Sequence, residues 1–303
     1  MFLREIINLA LRGRVWTLCR SAARQIACEN IHLMRSRLVS FALLASLTMI
    51  GPLFGHDTWL APDRSHAETP GIVVLSLSSG MEFPMLDHAI AGDRVASAKW
   101  RSAQGSGELP SGTRAPNALE WRVNAFEGVT LFSVALHPRP SRLKRDQVRA
   151  YVDHLGLPNA AAVFSRWKRT SKADEIGYRY MKYAKTFVGR GSGEASPLWG
   201  EAADLRLELI PQSNPTSLTA GSTLEVQLVD RGKPLARYPV ALLVEGTKDP
   251  MRVVTGVDGR ARFVLPASGH YMMRATTLEP SADKASVWDV HFTTMTFEVA
   301  RRR

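Results

Sequence analysis

The chain has 303 residues, 45% hydrophobic and 22% charged, with a formal net charge of +11. That length supports roughly two domains of about 100–200 residues each, and this balance of apolar and charged residues excludes a disordered chain. Its two cysteines, Cys19 and Cys28, both precede a candidate cleavage point, so the remainder has no disulfide, no thiolate metal ligand and no lipid-bearing cysteine.

Residues 1–33 are Arg-rich and partly amphipathic, and they read as an upstream extension with Met34 as the true start. Residues 34–55 (MRSRLVSFALLASLTMIGPLFG) read as a signal peptide. Arg35 and Arg37 supply the positive region, Leu38 to Ile50 the uncharged apolar run, and Gly51-Pro52 the break before a small residue, Gly55. The apolar stretch of about 17 residues is at the short edge for a membrane span. The expectation is a periplasmic protein, cleaved near Gly55, that meets the membrane only through this leader. The first 55 residues hold seven arginines and two glutamates, which leaves 32 basic and 26 acidic groups downstream. Those charges are scattered, and no helix-turn-helix, zinc finger or aromatic-plus-basic motif accompanies them, so no nucleic-acid partner is expected.

From His56 to Pro138 the pattern is that of an N-terminal β domain. Ile72–Leu77, Val95–Trp100, Leu119–Val123 and Val129–Leu136 are strand candidates, separated by Gly- and Pro-rich loops. Residues 139–192 read as a helical segment. One helix is predicted over Ser141–Leu155, with Ser141 as N-cap and Gly156 and Pro158 as its end. A second covers Asn159–Trp167. A third covers Ala173–Val188, with Ile176, Tyr180, Tyr183, Ala184 and Phe187 on one face; Gly189–Pro197 then reads as a linker. Residues 203–299 hold about seven short strands with turn signals every 8–12 residues, a spacing typical of a sandwich. Asp230-Arg231-Gly232-Lys233 and Asp258-Gly259 supply hairpin turns there. The expected fold class is mostly β: an N-terminal β domain with a helical insert, then a C-terminal immunoglobulin-like or prealbumin-like β-sandwich.

Several segments in order carry a resemblance. They are HDTWLAP at 56–62, SRLKRDQVRAYVDHLGL at 141–157, GYRYMKYAKTFVGRG at 177–191, LRLELIPQSNPTSLTAGSTLEVQLVDRGKPLA at 205–236 and VHFTTMTFEV at 290–299. Together they resemble a family of exported bacterial proteins described as the additional periplasmic component of nickel or cobalt uptake systems. The resemblance implies an accessory metal-binding protein with a membrane permease as partner and nickel or cobalt as its ion. Thr276-Thr277 stands where that family often carries a His, a departure that would weaken metal binding.

The residues themselves offer one sharp chemical feature. Cleavage after Gly55 leaves His56 with a free α-amine beside its imidazole, two nitrogens that can chelate a late first-row divalent ion. Asp57 could add an oxygen. Further ligands would come from His66, from Asp87-His88 or from Asp289-x-His291; His56, Asp57, His88 and His291 form the expected metal set. The plainer reading is that His56-Asp57 begins a strand anchored by Trp59 and Leu60. Met81 and Met85 beside His88 also suggest copper(I), a softer ion. No G-x-S-x-G, H-E-x-x-H, P-loop or dinucleotide fingerprint is present, so no enzymatic activity is expected; a copper enzyme of the N-terminal-histidine type ranks last. A metal-free scaffold of the cell envelope is the alternative function.

Overall fold

The computed structural model describes residues 56–67, 71–158, 160–170, 174–191, 197–247, 249–283 and 287–302. The upstream extension, the signal peptide and most of the linker lie outside those residues. Nineteen strands are described, and several with one covered face follow a period-two alternation of buried and open positions, as in Arg260–Val264, where only Ala261 and Phe263 are buried. The first half holds β1 (Asp57–Pro62), β2 (His66–Ala67), β3 (Ile72–Gly80), β4 (His88–Ala89), β5 (Val95–Ser102), β6 (Gly105–Glu108), β7 (Thr113–Arg114), β8 (Leu119–Asn124) and β9 (Gly128–Leu136). Then come β10 (Arg139–Lys144), α1 (Gln147–His154), α2 (Ala160–Thr170) and β11 (Glu175–Arg190). The second half holds β12 (Leu207–Pro211), β13 (Thr223–Asp230), β14 (Lys233–Pro234), β15 (Pro239–Val244), β16 (Met251–Val254), β17 (Arg260–Val264), β18 (Gly269–Pro280) and β19 (Trp288–Val299).

These strands make two sandwiches that share one sheet. A five-stranded sheet, β1-β3-β8-β7 with β4 beside β3, covers one part of a ten-stranded sheet. A four-stranded sheet, β12-β13-β14 with β17 beside β13, covers the other part. The ten-stranded sheet runs β16-β15-β18-β19-β11-β9-β5-β6, and its halves join where β11 lies parallel to β19, from Tyr178 opposite Trp288 to Thr186 opposite Thr296. The C-terminal half is the expected immunoglobulin-like sandwich. Leu209, Leu224, Val226 and Phe263 of the small sheet pack there against Leu242, Tyr271, Met273 and Phe297 of the large one. Its β13–β14 hairpin closes through Arg231 and Gly232, both at positive φ (51° and 72°), as the favoured two-residue turn requires. The N-terminal core joins Leu75, Leu77, Leu119 and Trp121 to Phe132, Val134, Ala184 and Val188.

The segment 139–192 is only partly helical, which corrects the sequence reading twice. Ser141 is not a helix cap: Arg139–Lys144 forms β10 and pairs antiparallel with Glu175–Tyr180, and the helix starts at Gln147. Its end is as expected, with Gly156 at φ 63° just past the last turn. The helix predicted over 173–188 is instead the long strand β11. Its residues from Tyr183 through Gly189 are all buried, because this strand has a sandwich core on each face. A strand buried on both sides shows no alternation, and its apolar run then matches helical spacing equally well. The helical insert is therefore α1 and α2 alone. Val148, Tyr151 and Val152 of α1 pack on Ile176 and on Trp288 and Val290 of β19. Among the described residues no helix is long and apolar enough to cross a membrane.

Candidate functional site

Pairing register brings the candidate residues together. Thr58 of β1 lies opposite Ser79 of β3, and Ser79 lies opposite His88 of β4 on the other side. Directly paired residues share a face of a sheet, and His56, two residues before Thr58, shares it too. The imidazoles of His56 and His88 accordingly sit with ring centroids 5.0 Å apart and planes within 8° of parallel. Two imidazoles that share one ion at about 2.0–2.1 Å per nitrogen hold their centroids roughly 4.5–6 Å apart, so the spacing suits a common ion. Aiming both lone pairs at it requires rotation about χ2, a broad torsion in His.

Facing this pair is β11. Tyr178, Tyr180 and Lys182 alternate onto the face that looks toward His56, and Phe292 of β19 lies beside Lys182 in the parallel register. The Lys182 ammonium donates to the carbonyl of His56 at 2.6 Å and to Thr58 Oγ1 at 2.9 Å. It also lies over the rings of Tyr180 and Phe292. Burial, with Arg94 nearby, pulls the pKa of Lys182 down to about 8, while Asp57 opposes that shift. Burial also lowers the pKa of His56, helped by the charges of His88 and Lys182 and resisted by Asp87 and Asp57. His56 is therefore held toward the neutral form that binds metal. Between β11 and the β1-β3-β4 edge lies a cavity of about 520 Å³, closed on one side by Tyr151 of α1.

The other expected ligands do not join the pair. The carboxylate of Asp57 points away from His56, as alternation along β1 demands, and forms a salt bridge with Arg274 of β18. His291 lies on the opposite face of the large sheet. It is 1% exposed, its Nδ1 is 3.1 Å from the Tyr183 hydroxyl, and its ring stacks on that tyrosine. Burial, with the Arg206 charge nearby, drives its pKa down to about 4. His66 pairs with Gly189 at the far end of β11. Met81 and Met85 are open to solvent, without an enclosed sulfur site. Among the described residues no three His, Cys, Asp or Glu side chains converge on one metal position. Trp59 and Leu60 are fully buried, so the anchoring half of the plainer reading holds as well. Sequence reasoning passed over Tyr178 and Lys182 and put Tyr180 on a helix face without them, because residues 178, 180 and 182 all share one face only in a strand.

A sequence profile for a domain of unknown function, DUF4198, matches residues 53–279. The chain belongs to that family. The description of DUF4198 assigns it no activity, and no curated protein matches the chain by sequence. Among solved structures the chain is similar to the D0-D1 domain of intimin, at 10% identity and a TM-score of 0.22, over 80% of this chain and 97% of that one. It is similar to the human OSCAR ligand-binding domain at 12% identity and a TM-score of 0.21, over 81% and 100%. Fibronectin(III)-like modules of Clostridium thermocellum CbhA follow at 9% identity and a TM-score of 0.20, over 80% and 94%. Likenesses this remote carry no argument about what the DUF4198 chain does.

Proposed function

We propose that this DUF4198 protein is an exported, periplasmic accessory protein that binds a divalent transition ion, nickel or cobalt, for a membrane uptake permease. The observation that carries the reading is the meeting of His56 and His88 across β3, with His56 held toward its neutral form. A cut after Gly55 would add the α-amine of His56, giving three nitrogens in one place, a donor set that suits late first-row ions. Lys182 supports the arrangement by holding the His56 carbonyl, so the first residue of the exported chain is fixed rather than frayed. Asp57 and His291 are not part of this site. The permease as partner rests on the family resemblance alone.

The test has two parts. Mass spectrometry of the exported chain is expected to give a product that begins at His56; any other start removes the amine. Calorimetric titration of that chain with nickel, cobalt and copper is expected to show one site tighter than about 0.1 mM. Weaker binding of all three would leave the metal-free envelope scaffold as the better reading, which the lack of a third side-chain ligand among the described residues favours.

A further inference from the structure

The charge around the cavity is wrong for a bare dication. Lys182, Arg94, Arg114 and Arg139 line it, and none of its lining residues is an acid. The acid next to His56, Asp57, is committed to Arg274. Lys182 spends its donors on neutral oxygens only: the His56 carbonyl, Thr58 Oγ1 and Ser79 Oγ. Arg94 donates through Nη2 to the carbonyl of His137, and its enclosed Nε has no hydrogen-bond partner among the described residues. Arg114 and Arg139 stand exposed on the rim. Enclosed cations without a counter-charge are costly, and an anionic guest relieves that cost. Tyr178, Tyr180 and Phe292 face the space, and the hydroxyls of Thr58, Ser79 and Ser141 line it beside the two imidazoles. A volume of about 520 Å³ lies in the range of sites for small organic ligands, roughly 300–1,000 Å³, and far exceeds what an inorganic oxyanion fills.

We infer that this cavity binds a small organic polycarboxylate, gripped by Arg94, Arg114, Arg139 and Lys182 against the faces of Tyr178 and Tyr180. An ion held by His56 and His88 then enters as its polycarboxylate complex, whose oxygens fill the coordination positions that the imidazoles leave open and whose negative charge offsets the cationic wall. Only this last step rests on the metal reading of the site; the anion assignment does not.

Citrate is the probe. The exported chain is titrated with citrate alone, nickel alone, equimolar nickel and citrate, and inorganic phosphate. Citrate is expected to bind without metal, and nickel with citrate to bind tighter than either alone. The Arg114→Ala/Arg139→Ala double variant, altered only at exposed positions, is expected to keep its thermal midpoint and to lose citrate affinity about tenfold or more. It is expected to bind nickel alone as the parent does. No citrate binding with or without nickel, equal citrate affinity in the double variant, or phosphate binding as tightly as citrate would each overturn the assignment. Citrate binding with no response to nickel would support the anion site and remove the metal reading instead.

Discussion

His291 carries its imidazole almost wholly out of water, while His56 and His88 look into a cavity, and this difference in surroundings separates their chemistry. The folded pKa of His291, about 4, lies below its ordinary value of 6.5. Between those values the unfolded chain binds more protons than the folded one, so stability rises with pH across the window. The contribution is therefore present above about pH 6.5 and is lost as pH falls toward 4. Thermal midpoints measured from pH 7 to 4 should fall, and His291→Gln should flatten that dependence. The same variant should leave nickel affinity unchanged, because His291 is on the other face of the large sheet. His88→Ala, in contrast, removes one of two imidazoles from an exposed position. It should weaken nickel binding by about tenfold or more with little change in stability, read by calorimetry and thermal melting on the same sample.

The long strand β11 positions more of this molecule than any other element. Lys182 and Ala184 face the first sandwich and its cavity, while Tyr183 and Lys185 face the second. Lys185 is 1% exposed and donates at 2.6 Å to Glu208 of β12, equally buried, which also accepts from the Ala203 amide. Removing one partner of such a pair leaves an unpaired buried charge, at a cost of about 3–5 kcal/mol, whereas replacing both by apolar residues is close to neutral. Lys185→Met and Glu208→Leu should each destabilise strongly and together should recover most of the loss, measured by denaturant melts of the three variants. None of this was legible in the sequence. GYRYMKYAKTFVGRG has apolar residues at helical spacing, and a strand covered on both faces offers no alternation to say otherwise. The one-sided strands were legible: the elements at 72–80, 119–124 and 223–230 all start where the pattern begins. At the site, the sequence put His56 and His88 in one expected ligand set without showing that they are close. Their meeting depends on β4, a two-residue strand that pairs with β3, which no pattern of two residues can announce.

At the scale of the whole described chain, the two sandwiches are not separate beads. The parallel seam of β11 and β19 runs through the centre of the ten-stranded sheet, and side chains cross it. Thr294 and Thr296 of β19 donate to the carbonyls of Thr58 and Leu60 of β1, tying the five-stranded sheet to the seam. The halves should therefore melt in one transition by calorimetry. Thr186→Pro, which breaks the middle of a central strand, should lower that single transition rather than release one half from the other. The seam also shapes the candidate site, because β11 and β19 form the floor beneath His56. The most direct measurement of the central claim is X-ray absorption at the nickel edge of the exported chain loaded with one equivalent of nickel. Scattering from two imidazoles, falling to one in His88→Ala, is the predicted result. A spectrum with no imidazole contribution, or one unchanged in His88→Ala, would contradict it.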